Sequence, residues 1–134
     1  MPKPINEMTI QLQDDLKIPS SKLLPSVLFL NTGDLKIEGK FVPDHVSEFF
    51  QPLKDWLCRL VCKNVVFDIN IEYMSNNASV HLLHLLKVLN DSDYLETVTV
   101  NWHYEIEDEE HYEKGMIFSE QLKRIKFSFF SYIL

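Results

Sequence analysis

Hydrophobic and polar residues alternate with a period of two over 65–73. Phe67, Ile69, Ile71 and Tyr73 fall on one side and Asp68, Asn70 and Glu72 on the other, which predicts a strand. Past the polar turn Ser75-Asn76-Asn77 the period changes. Leu82, Leu85, Leu86 and Leu89 predict a helix over 78–90 that turns His81, His84 and Lys87 to solvent. Alternation returns over 95–104, with Val98, Val100, Trp102 and Tyr104 against Thr97, Thr99, Asn101 and His103. Strand, helix and strand at this spacing form a right-handed βαβ unit with parallel strands. Both strands keep a polar face, whereas strands covered on both sides would be apolar throughout, so the helices are expected mainly on one face of the sheet.

The flanking pattern extends this unit. An apolar run over 26–30 and the alternating 35–38 are joined by Asn31-Thr32-Gly33-Asp34, a hairpin turn by composition, and Gly39 closes the second strand. Pro43-Asp44 opens a helix with Asp44 as its cap, and Val46, Phe49, Phe50, Leu53, Trp56, Leu57, Leu60 and Val61 give it a broad apolar face. Pro52 inside that pattern predicts a kink or a fresh start near Gln51. The acidic run Glu105 to Glu110 leads into a third helix carrying Tyr112, Met116, Ile117 and Leu122, and 126–134 reads as an aromatic strand. In residues 1–22, Met8, Ile10 and Leu12 alternate with polar residues, which suits either an added edge strand or a loose tail before a single domain over 23–134.

Length and composition narrow the function. A chain of 134 residues with 46% hydrophobic content can bury its own core. A net charge of −7 argues against binding the phosphate backbone of nucleic acid. Without an apolar run of membrane length or a signal-peptide pattern, the chain reads as cytoplasmic, with no membrane partner. Cys58 and Cys62 read as reduced thiols on one helix, poorly placed for a disulfide and without the neighbours that would make a metal site.

Candidate chemistry is sparse. No nucleophile elbow, P-loop or dinucleotide fingerprint is present, and the glycines Gly33, Gly39 and Gly115 suit turns or helix packing. His81 and His84, with Glu72 upstream, are the one set that suits a small metal-assisted or acid–base enzyme, although zinc would want further ligands and a solvated helix face explains the pair more simply. No cofactor is expected. The turn at 75–77 is the most suggestive element, because a strand ending in small polar residues before a helix exposes unpaired N–H groups and a positive dipole end. Asn76 or Asn77 suits the cap of that helix.

Six segments in order then resemble one family. They are L-K-I-E-G at 35–39, V-P-D at 42–44, F-F-Q-P-L-K-D-W-L at 49–57, I-N-I-E-Y at 69–73, V-N-W-H-Y at 100–104 and E-K-G-M-I-F at 113–118. Together they resemble the SiaC-type regulatory phosphoproteins, small STAS-like bacterial domains related in fold to anti-sigma factor antagonists. The resemblance implies an α/β, STAS-like mixed sheet of four to five strands and a non-enzymatic regulator. In that family the unphosphorylated form activates a diguanylate cyclase and raises cyclic-di-GMP, while a cognate kinase and a PP2C-type phosphatase set the balance. The family's phosphorylated threonine falls on Asn76, so the switch is expected to be lost or moved, with Ser75 and Ser79 as substitute acceptors. Phe41 departs as well, standing where a small polar residue is common. The partner-binding surface is expected at Tyr73, Ser75, Asn76, Asn77, Ser79 and His81, on a monomer that pairs with other proteins. A structural subunit sharing only the fold is the remaining alternative.

Overall fold

The computed structural model describes residues 13–41 and 46–134. Six strands form one sheet in chain order: β1 (Leu16–Ile18), β2 (Ser26–Phe29), β3 (Asp34–Gly39), β4 (Asn64–Ile71), β5 (Thr97–Glu105) and β6 (Ile125–Tyr132). β1, β2 and β3 pair antiparallel, and β3 to β6 run parallel. The helices among the described residues are α1 (Val46–Cys58), α2 (Asn76–Asn90) and α3 (Glu109–Gln121), each crossing over between consecutive parallel strands. The expected four to five strands are therefore six. The extra one is β1, three residues whose apolar content is too small for a periodic signal. The alternation at Met8, Ile10 and Leu12 and the cap at Asp44 lie outside the described residues.

The parallel pairs fix which residues share a face. Phe67 stands beside Val100 and Val100 beside Phe127, while on the opposite face Asp68 stands beside Asn101 and Asn101 beside Ser128. The first set faces the helices, Phe67 and Val100 fully buried and Phe127 partly so: Phe29 of β2 packs on Trp56 of α1 with ring centroids 5.4 Å apart, and Trp102 of β5 packs on His111 and Phe118 of α3. The second set faces outward. There the Asn101 amide donates to Asp68 Oδ1 at 2.8 Å, and His103 stacks on the half-exposed Phe130. One-sided coverage, read from the polar faces of the strands, thus holds.

Two glycines set close approaches. Gly33 takes φ 102° in the hairpin turn, where its N–H donates to Leu30 O and a side chain would run into the carbonyl of Asn64. Gly115 lets α3 lie on the Trp102 indole, since a Cβ there would come within 2.7 Å of Nε1. α3 accordingly buries His111, Gly115 and Phe118, and of the four residues read into this helix Leu122, just past its end, is buried. Tyr112 instead lies over Tyr104 and Phe129 at the flank, and Ile117 is exposed.

Further expectations give way to the structure. α1 runs through Pro52 without a fresh start, with Pro52 on its exposed side. α1 also ends at Cys58, leaving Val61 exposed and Cys62 in the loop, where the half-buried thiol contacts Asn64 O at 3.6 Å and burial pushes its pKa up. The two cysteines are free and do not share a helix.

Candidate functional site

β4 stops at Ile71, so Tyr73 does not continue the buried row of Phe67, Ile69 and Ile71. It turns out to solvent at 54% exposure. The turn that follows is held from three sides. Phe41 N donates to Tyr73 O at 3.1 Å, the Lys114 ammonium of α3 donates to Met74 O at 3.4 Å, and Ser79 N and Oγ both donate to Ser75 O at 2.9 Å. Every carbonyl from Tyr73 to Ser75 is thereby engaged, and the start of α2 is placed by the segment just after β3, by α3 and by Ser79 of α2 itself.

The cap is Ser75, not Asn76 or Asn77. Its backbone is extended and its Oγ accepts the N–H of Ala78 at 3.1 Å, so the helix begins at Asn76, two residues earlier than its apolar period suggested. Ser75→Ala is therefore expected to lower stability by about 1 kcal/mol in denaturant unfolding, with Asn76→Ala close to neutral. An equal loss for the two variants would contradict Ser75 as the cap. Asn76 and Asn77 occupy the first turn, where N–H groups have no helical acceptor, and both side chains are exposed.

The predicted site residues are only partly brought together. Tyr73, Asn76 and Asn77 share the exposed rim of the turn. Ser79 is 8% exposed and lies beneath it, its hydroxyl donated to Ser75 O. His81 is half-buried rather than free in solvent, stacked on Phe50 of α1 at 5.7 Å with the rings 9° from parallel. Phe41, the departure at the other turn, is fully buried and stacks in turn on Phe50. An aromatic column Phe41–Phe50–His81 thus ties the segment after β3 through α1 to α2.

Glu72 does not join the histidines. Its charge acts on Tyr132, as do Glu105 and Asp108, and these together with burial push the Tyr132 pKa up, burial being the largest cause. His81 and His84, with ring centroids 6.5 Å apart, face α1 instead. Among the described residues no group of three or more His, Cys, Asp or Glu is placed to hold a metal ion.

Sequence reasoning missed Lys114 and His111. Lys114 follows the acidic run, and contact with the turn gives it its role; burial lowers its pKa, opposed by Glu110 and Asp108. His111 is buried against Trp102, with its backbone carbonyl accepting the indole N–H at 3.1 Å and its Nε2 unpaired. Burial lowers its pKa from 6.5 to about 4, against the pull of Asp108. The unfolded chain takes up this proton near pH 6.5 and the folded chain only near pH 4. Stability is thus unaffected above that window and falls as pH drops through it, by roughly 3 kcal/mol. Urea unfolding between pH 7 and pH 4 measures this slope, and His111→Phe is expected to flatten it.

The elements build a one-sided α/β domain whose capped helix start is held by hydrogen bonds from its surroundings. The family model for SiaC family regulatory phosphoproteins matches residues 18–132, and the chain belongs to that family. Its fold is similar to that of SiaC of Pseudomonas aeruginosa, at 20% identity and a TM-score of 0.77 over 90% of this chain and 100% of that one. It is likewise similar to a chain in the crystal structure of diguanylate cyclase SiaD in complex with its activator SiaC, from the same organism. There the identity is 21% and the TM-score 0.76, over 88% of this chain and 100% of that one. No curated protein sequence matches the chain. No helix among the described residues is long and apolar enough to cross a membrane.

Proposed function

We propose that this chain is a cytoplasmic regulator that acts by binding a protein, a diguanylate cyclase of the SiaD kind, through the rim of the turn before α2, and that it has lost the family's phosphate switch. The observation that carries the reading is the exposed, rigid start of α2. It presents Asn76 and Asn77, which have no hydroxyl, while the hydroxyls of the neighbouring serines are engaged. Ser75 Oγ holds the helix cap, and Ser79 Oγ is buried in a bond to Ser75 O, so neither is presented to a kinase. In this reading the chain stays in the form equivalent to an unphosphorylated relative, and a cognate kinase and PP2C-type phosphatase no longer set its state. It acts as a monomer that pairs with its partner.

Support comes from family membership and from the SiaC fold, which in Pseudomonas aeruginosa is found as an activator bound to a diguanylate cyclase. The test is cyclic-di-GMP production by a SiaD-type cyclase from the native genome, with and without the purified chain. A dose-dependent rise in rate supports the proposal, and an unchanged rate together with no binding would sink it.

A further inference from the structure

A groove separates α1 from α2 on the helix side of the sheet. Phe50 and Leu85 form its floor, with the His81 ring laid on Phe50, and Lys54 and His84 stand on its walls around a cavity of about 140 Å³. A second cavity of about 280 Å³ continues it past Lys54 and His84 to Lys87. The wall residues of α1 recur at helical spacing through Ser47, Gln51 and Lys54, so one continuous helix flank faces the groove. On α2 the groove wall runs from His81 through His84 to Lys87 and Asp91.

Its charge is opposite to that of the protein. In a chain of net charge −7, the groove walls carry Lys54, Lys87 and two imidazoles, and Asp91 at the far end is the one carboxylate on either cavity. Glu48 and Asp55 of α1 line neither cavity, and Asp55 accepts the Gln51 amide at 2.9 Å. An apolar floor between cationic walls on two parallel ridges fits an amphipathic helix with carboxylates beside its apolar stripe.

We propose that this groove receives an acidic amphipathic helix of the partner protein, with an apolar side chain over Phe50 and Leu85 and carboxylates towards Lys54, His84 and Lys87. The inference rests on the partner-binding reading above and extends that surface from the turn along α2. It also gives the His81/His84 pair a role in contact rather than in catalysis.

The test uses two labelled amphipathic peptides of roughly 20 residues, identical except that one carries Glu and the other Lys beside its leucines, followed by fluorescence anisotropy at low salt. The Glu peptide is expected to bind the parent chain about tenfold tighter than the Lys peptide, and Lys54→Glu/Lys87→Glu to abolish that preference. Both lysines are exposed, and an unchanged melting temperature confirms that the double variant is folded. Equal binding of the peptides, no binding of either, or a preference that survives the double substitution would overturn the groove. The same variants against the cyclase separate the two proposals. Weakening by Asn76→Glu but not by Lys54→Glu/Lys87→Glu overturns the groove alone, whereas weakening by neither overturns the partner-binding surface with it.

Discussion

Replacing Trp102 with alanine is expected to lower stability by about 3–5 kcal/mol, the largest loss of any single substitution in the sheet. Trp102 is fully buried, and three rings of the helix-facing core meet it: His111, Phe118 and Phe127. Its N–H is satisfied by His111 O, so the indole anchors the first turn of α3 as well as filling space. Gly115 is shaped to it, and truncation would leave a void that the glycine cannot close. Domains of this kind are stable by only about 5–15 kcal/mol, so the loss would remove a large share of the total. The effect should reach the turn before α2, because Lys114 sits one residue before Gly115 and holds Met74 O. Urea unfolding checks the energy, and a loss under about 1 kcal/mol would contradict the packing described.

Asn76→Glu is expected to weaken partner binding at least tenfold, equivalent to about 1.4 kcal/mol, without harming the fold. An acidic residue in the first turn of a helix favours the helix, by about 0.3–1 kcal/mol, so the melting temperature should hold or rise. Binding suffers for a separate reason: a carboxylate at the centre of a contact surface must lose its water without gaining a partner. Asn76→Ala separates charge from side-chain loss and should leave affinity within a few-fold, since Ser75 and not Asn76 caps the helix. Titration calorimetry of parent and both variants against the cyclase checks this, and equal affinities for all three would place the interface elsewhere.

Much of the architecture is legible in the sequence because strand alternation and helix period are strong signals. β3, β4, β5, α2 and the Asn31–Asp34 turn lie close to where the pattern puts them. What hydropathy hid has physical causes. The core face of α3 is built on a histidine and a glycine, residues without an apolar signal, whose fit is set by Trp102 on the strand just before it. Tyr73 has the right parity for the core, but β4 ends two residues earlier and the chain turns out. His81 looks solvent-facing from its helix position, and only α1 alongside reveals its stack on Phe50. The turn itself was found by its polar composition, while the choice of Ser75 as cap rests on one hydroxyl reaching one N–H, which several small polar neighbours would suit equally in sequence.

The most direct test of the central claim is affinity capture of the tagged chain from its native extract, parent beside Asn76→Glu, with mass spectrometry of what is retained. A GGDEF-type diguanylate cyclase is expected with the parent, and its loss with Asn76→Glu. Capture of no such cyclase, or equal capture by both forms, would contradict it.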